Sequence, residues 1–331
     1  MEKVLVTGAT GFVGAALVRE LVRRGISVRI TVRKTSLTDN IQGLPVERVV
    51  ADVNDNDAMR RACHGCTHVY HVAGVYRTWM RDYGMLHRVN VEGTRTVLSA
   101  AQEAGVQKVI YTSSIAALGM HGDGKPSDEQ TLFNLHHLRL PYEESKFHGE
   151  RVAWEFYRQG LPLVVVRPAL VMGEGDIYPT PSGRLVLDVL RGKVPCYFDG
   201  GIDVVDVRDV ALGHILAMER GVPGESYNLG NNGNFATLRD LTHMIAHTGG
   251  VRPPRVRVPV WCALLWAYSL TLIADYLTHR EPVATPASIR ILALKRRVDF
   301  SKAHRELGLP QTPLADIITR TVKWYRTAGY V

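Results

Sequence analysis

The first half of the chain alternates between short apolar runs and stretches of helical periodicity. Val4-Leu5-Val6 is apolar without interruption, as expected of a strand buried on both faces of a parallel sheet. Val13, Leu17 and Leu21 then recur every four residues, which predicts a helix laying one face on that sheet. Further strands are predicted at residues 28–32, 48–51, 68–72, 108–112 and 163–166, with helical segments between most of them. This βαβ alternation predicts an α/β fold with a doubly wound parallel sheet.

The pattern breaks after Pro168. Pro179, Pro181, Pro195, Pro223, Pro253 and Pro254 interrupt it, and apolar helices replace the regular alternation. The sequence therefore predicts a sheet domain over residues 1–168 and a smaller, mostly helical region over 169–331. One strand is expected to return to the sheet near 203–211, with Val204 to Val207 at its centre. Residues 256–274 are uncharged apart from Arg257 and are interrupted by Pro259. What remains falls short of the ~20 residues that cross a bilayer, so a buried helix or a substrate lid is expected here, and no membrane span.

Composition narrows the class without naming a function. With 46% apolar and 22% charged residues over 331 positions, the chain can bury a large core and is neither disordered nor repetitive. The net charge is +8, but the cations fall in pairs and triplets (Arg23-Arg24, Arg60-Arg61, Lys295-Arg296-Arg297). No long basic tract supports nucleic-acid binding. Four cysteines make no disulfide framework; Cys63 and Cys66 have CxxC spacing but no second pair, so two small buried thiols are expected rather than a metal or redox site. Met1 leads within two residues into a strand with no signal peptide, and a cytoplasmic protein is expected.

Two motifs carry chemistry. Thr7-Gly8-Ala9-Thr10-Gly11-Phe12-Val13-Gly14 joins the first strand to the first helix, with glycines spaced GxxGxxG. A backbone that must approach a pyrophosphate tolerates no Cβ, and the helix N-terminus supplies N–H groups to an anion. The strand–loop–helix context makes this a dinucleotide site. At the end of the second strand, where NAD-binding versions place a carboxylate, stand Val32, Arg33 and Lys34. Two cations suit a 2′-phosphate, so NADP(H) is the expected cofactor. Tyr142 and Lys146 are spaced i, i+4 and share one helix face. A neighbouring ammonium favours a phenolate and would draw Tyr142 toward acid–base work at neutral pH.

With these residues in view, the chain resembles the extended short-chain dehydrogenase/reductases, the NAD-dependent epimerase/dehydratase superfamily, over essentially its whole length. Residues 7–14 look like their cofactor loop, and Asp52-Val53 is similar to the pair beside the adenine. His71-Val72-Ala73-Gly74 stands where the family often has a variant of NNAG, and Asn90 matches the asparagine that supports the lysine through a water. Thr112-Ser113-Ser114 ends the fifth strand, with Ser114 at the catalytic serine's place. Arg167-Pro168-Ala169-Leu170-Val171 resembles the segment beside the nicotinamide. The resemblance implies a Rossmann-type fold and a catalytic set of Ser114, Tyr142, Lys146 and Asn90. Hydride would pass between NADP(H) and a small-molecule carbonyl or alcohol.

Two subgroups are similar in detail: the dihydroflavonol-reductase-like enzymes and the hopanoid-associated sugar epimerases. Nucleotide-sugar epimerases commonly carry an arginine before the returning strand to clamp a diphosphate. Here Ile202 occupies that place, and Arg184, Arg191 or Arg208 would have to substitute. Trp261, Leu264, Leu265, Trp266 and Tyr268 form either an apolar pocket or ordinary core; Tyr76, Trp79 and Tyr83 reach the substrate or pack elsewhere. The sequence thus favours reduction of an apolar or aromatic ketone or aldehyde. A sugar epimerase and a non-catalytic NADP-binding sensor are the alternatives, and monomer and homodimer both stay open.

Overall fold

Seven parallel strands carry the architecture in the computed structural model, which describes residues 3–331. Met1 and Glu2, on which the reading of the chain's start depends, lie outside the described residues. The strands β1 (Lys3–Thr7), β2 (Ser27–Val32), β3 (Glu47–Val50), β4 (His68–His71), β5 (Lys108–Thr112) and β6 (Leu163–Pro168) match the predicted runs. Between them lie α1 (Phe12–Arg23), α2 (Asn56–Cys63), α3 (Gly84–His87), α4 (Gly93–Glu103) and α5 (Pro141–Arg158). In the second half follow β7 (Leu170–Met172), α6 (Pro181–Leu190), β8 (Cys196–Phe198), β9 (Gly201–Asp206) and α7 (Val207–Arg220). The chain ends through β10 (Ser226–Leu229), β11 (Phe235–Thr237), α8 (Leu238–Thr248), β12 (Val256–Val258), α9 (Val260–Ile273), α10 (Pro286–Ala293) and α11 (Leu314–Thr327).

The large sheet runs β3-β2-β1-β4-β5-β6-β10. Strand side chains alternate faces, so each strand feeds two cores. Val4, Val6, Ile110 and Val164 pack with Leu17 and Leu21 of α1 and Val210 of α7 on one face. Leu5, Val69, Val109 and Val165 pack with Met59 of α2, Leu98 of α4 and Phe156 of α5 on the other. The order reverses between β1 and β4, whose connections leave in opposite directions and open a crevice at the strands' carboxyl ends.

The returning strand is not the one expected. Residues 203–211 form the end of β9 and the start of α7, and β9 never joins the large sheet. It pairs in parallel with β7 and antiparallel with β11 in a separate three-stranded sheet. Ser226–Leu229 completes the large sheet instead, with Tyr227 opposite Val166. Residues 204–207 are the more apolar run, whereas Ser226-Tyr227-Asn228-Leu229 carries two polar residues, so apolarity points to the wrong segment.

Helix α9 also departs from expectation. The apolar stretch is neither buried nor covered: only Ala263 and Ala267 of α9 are buried, while Trp261, Leu265, Trp266, Tyr268, Leu272 and Ile273 are exposed. With its continuation it runs from Val260 to Thr278, long and apolar enough by length and composition to cross a membrane. Its small residues point inward, a distribution that mean apolarity does not reveal. Cys63 and Cys66 are free and buried, and burial pushes the Cys63 thiol up to about 12.

Candidate active site

The glycine loop works by close approach. Gly8 has a φ of +72°, and a Cβ there would lie 2.6 Å from the Ala73 backbone. A Cβ on Gly14 would meet the Gly8 carbonyl at 2.1 Å. The loops after β1 and β4 can therefore touch only with glycine at position 8, and the first loop can fold onto α1 only with glycine at position 14. Gly11 precedes α1 with no side-chain cap, which leaves the helix's first N–H groups available to an anion.

A buried hydrogen-bond chain fixes the two loops to each other. The Ala73 amide donates to Thr7 Oγ1 (3.2 Å), which donates to His71 Nδ1 (2.8 Å). His71 Nε2 donates to Thr94 Oγ1 (3.1 Å), which donates to the Asn90 carbonyl (2.8 Å). These directions give every proton one acceptor and assign the tautomer from the network. Burial pushes His71 down to about 3, so the ring is neutral.

The crevice is a cavity of about 450 Å³. Gly8, Thr10, Gly11, Phe12, Val13 and Gly14 line it from the loop, and Val72, Ala73 and Gly74 from the end of β4. Asp52 and Val53 stand at one end, Thr112 and Ser114 at the end of β5, and Pro168, Ala169 and Val171 opposite. Arg33 reaches the rim, where its amide donates to Ser36 Oγ at 3.0 Å. Lys34 does not line the cavity. Nor does Asn90, which lies buried in a widened helical turn, Arg88–Glu92. Its side chain accepts from the Val75 amide (2.8 Å) and donates to the Val75 carbonyl (3.0 Å) and Ser145 (2.9 Å). Asn90 thus pins the loop after β4 to α5 rather than facing the cavity.

Pro141 starts α5, placing Tyr142 and Lys146 one turn apart, and both line the cavity. Tyr142 is hydrogen-bonded to Ser114, whose Oγ also accepts from the Ala116 amide at 3.1 Å. Lys146 donates to the Thr112 carbonyl at 2.8 Å, and burial pushes it down to about 8. The sequence-based expectation that Lys146 draws the phenol downward is not met in this arrangement. Burial holds Tyr142 well above its ordinary value, with Tyr76 and Glu143 adding the same sign and Ser114 opposing. The ammonium is turned to a carbonyl and lies 5.6 Å from the Tyr111 ring centre.

A second cavity of about 620 Å³, walled by apolar side chains such as Leu185, Phe198, Leu241 and Trp266, meets the first. Tyr142, Tyr76, Glu143, Leu170, Ile202 and Ile291 line both. The Tyr76 ring centre is 4.6 Å from that of Tyr142. Trp79 is buried with its Nε1 on Asp275 (2.8 Å), and Tyr83 is exposed. Of the apolar residues singled out around α9, only Trp266 lines the cavity.

Ile202 sits on the shared wall, and none of the three alternative arginines lines either cavity. Arg184 is held by Glu281 (2.5 Å), Arg208 by Glu174 (2.9 Å) and Arg191 by the Tyr330 carbonyl (2.9 Å). The sequence reading missed Glu143, Ile291 and Arg296. Glu143 follows the tyrosine directly and was legible as a carboxylate on the same helix. Arg296 arrives from a distant segment with no signal; burial pushes it down to about 10, with Glu143 and Asp203 opposing.

Comparison with known proteins agrees with this geometry. Residues 4–230 match the NAD dependent epimerase/dehydratase family. The chain is 40% identical over 330 residues to a Synechocystis sp. protein provisionally named dihydroflavonol 4-reductase, covering 98% of this chain and 95% of that one. It is 34% identical over 333 residues to sterol demethylase protein B of Methylococcus capsulatus, covering 99% of each. Among solved structures, that of gox2253 superposes with a TM-score of 0.86 at 39% identity over 99% of both chains.

Proposed function

The chain belongs to the NAD dependent epimerase/dehydratase family, and from that premise we propose that it is an NADP(H)-dependent reductase of an apolar ketone or aldehyde. The observation that carries this reading is Tyr142 on the wall shared by the two cavities, one a glycine-lined cradle and the other apolar. The cradle fits a dinucleotide: without a Cβ at Gly8 and Gly14 the loop packs closely on the Ala73 backbone and on itself, and the uncapped first turn of α1 lines the cavity. After β2 the rim offers Arg33 rather than a carboxylate, which suits a 2′-phosphate.

When bound, NADPH supplies the hydride. Tyr142 donates its proton to the carbonyl oxygen; burial keeps the phenol protonated at neutral pH, the state that a reduction requires. Ser114 hydrogen-bonds the same oxygen and shares its developing charge. Lys146, pushed to about 8, is still largely an ammonium at pH 7 and would hold the ribose hydroxyls of the bound cofactor. Asn90 acts at one remove, by fixing Val75 and Ser145. Ile202, in place of a diphosphate-clamping arginine, supports an apolar substrate over a nucleotide sugar. The name of the Synechocystis relative points to reduction and that of the M. capsulatus relative to a sterol, and both suit this cavity.

The test is calorimetric titration with NADPH and NADH, followed by a panel of ketones and aldehydes. Tighter binding of NADPH, weakened by Arg33→Ala while NADH is unaffected, and NADPH consumption on apolar carbonyls are expected. Preference for NADH, or copurified NAD with no net turnover, would overturn the reading in favour of a sugar epimerase.

A further inference from the structure

Helix α9 is turned inside out. A helix on a water-soluble surface buries its large apolar residues and exposes its polar ones. Here the buried positions are the small Ala263, Ala267 and Ala274. Trp261, Leu265, Tyr268, Leu272 and Tyr276 are exposed at spacings of four, three, four and four, and so form one continuous stripe. Trp266, Ile273 and Leu277 widen it. A contiguous patch of this kind marks an interaction surface.

The flanks say what covers it. Arg252, Arg255 and Arg257 are exposed just before the helix, and His279 and Arg280 just after its continuation. The nearby acids are already engaged: Asp199 by Lys295 (2.5 Å), Asp275 by Trp79 (2.8 Å) and Glu281 by Arg77 (2.9 Å). Arg252, Arg255 and Arg280 have no ion pair among the described residues. Aromatic residues among aliphatic ones, bordered by free cations, are the chemistry that seats a helix at an anionic bilayer surface. The helix rests there rather than crossing, because Ala263 and Ala267 pack on Ile289 of α10 and Asp275 is tied back to Trp79.

The apolar cavity opens beside this stripe. Trp266 and Val283 both line it, yet are 51% and 69% exposed, and so they stand at its mouth. We propose that the exposed face of α9, continued to Thr278, docks on an anionic lipid bilayer and turns the mouth of the apolar cavity toward the acyl boundary. Its corollary, that the carbonyl substrate enters from the lipid, rests on the reductase reading above.

The experiment is flotation of the full chain with vesicles of phosphatidylcholine and phosphatidylglycerol. The wild type is expected to float, and less so with phosphatidylcholine alone. The double variant Leu265→Glu, Leu272→Glu, neither residue lining the cavity, is expected to float about tenfold less or weaker still. Its Tm and its turnover of a water-soluble carbonyl should match the wild type, while turnover of a vesicle-dissolved carbonyl falls. A wild type left at the bottom of the gradient overturns the proposal. So does a wild-type dimer, seen by light scattering, that never floats and that the double variant splits: the face would then join two copies. Flotation without reduction of any carbonyl would leave docking standing and remove the reductase reading alone.

Discussion

The two cavities that meet at Tyr142 are built from different materials. The cradle is made largely of backbone: the Gly8 turn, the first turn of α1 and the carboxyl ends of adjacent parallel strands, tied by the Thr7–His71–Thr94 chain. The second cavity is made of side chains hung on short elements, with β8 and β12 only three residues each and α9 packed through alanines. A backbone site demands particular residues at fixed spacing, because one Cβ ruins it. A side-chain site accepts many apolar combinations and leaves no spacing to read. The first is suited to one invariant ligand, the second to a substrate that differs between relatives.

Removing the group common to both cavities should have the largest effect. Tyr142→Phe deletes the proposed proton donor and leaves the ring in place beside Tyr76. In steady-state kinetics kcat is expected to fall about 10²- to 10⁴-fold, with NADPH affinity changed by no more than about twofold. Undiminished turnover would show that Tyr142 is not the proton donor and that another group supplies the proton.

A matched pair of substitutions probes the contrast itself. Gly14→Ala adds one carbon where the Gly8 carbonyl is 2.1 Å away, backbone against backbone, so something must shift. NADPH binding by calorimetry should weaken about tenfold to a hundredfold, the equivalent of roughly 1.4 to 2.8 kcal/mol. Ile202→Ala removes three carbons from the shared wall, yet the expected change is about tenfold in KM for an apolar carbonyl, with kcat and NADPH affinity kept. If the Ile202 variant lost NADPH as severely as the Gly14 variant, the division of labour would be wrong.

The same contrast explains what the sequence disclosed. The six predicted strands, the glycine loop and the Tyr142–Lys146 turn were legible because each rests on a local period or a fixed spacing. Val4-Leu5-Val6 could be only a doubly buried strand, and Tyr142 and Lys146 only neighbours on a helix. The returning strand was misplaced because residues 204–207 are the more apolar run, while Ser226 and Asn228 disguise the strand that pairs with β6, and that pairing is a long-range choice. Lys34 was grouped with Arg33 by adjacency, but only Arg33 lines the cavity. Arg296, over 150 positions from Tyr142 in the chain, reaches the site by tertiary packing alone. The direction in which α9 turns its large residues was equally hidden, since every position on it is apolar or small.

The smallest expected effects lie behind the cavity walls, where two buried groups respond to pH with opposite signs. In the cradle, burial pushes His71 down to about 3 from its ordinary 6.5. Between those values the unfolded chain binds a proton that the folded ring refuses, so stability is lost as pH falls from about 6.5 toward 3. On β9, burial pushes Asp203 up to about 7 from 3.8, despite the Val298 amide donating to it at 3.0 Å. There the folded carboxyl holds a proton that the unfolded chain has released, so stability is lost as pH rises from about 3.8 toward 7. The wild-type curve sums these and other groups, and each contribution is isolated by difference. Asp203→Asn, which still accepts the Val298 bond, should gain Tm relative to wild type by a few degrees as pH rises from 5 to 7. His71→Asn, which still accepts from Thr7, should show a deficit that shrinks as pH falls from 6.5 to 4. Two differences of the same sign with pH would mean that burial does not set these protonation states. The loops behind the cradle and strand β9 would then differ in shape and residue type, but not in how they hold charge.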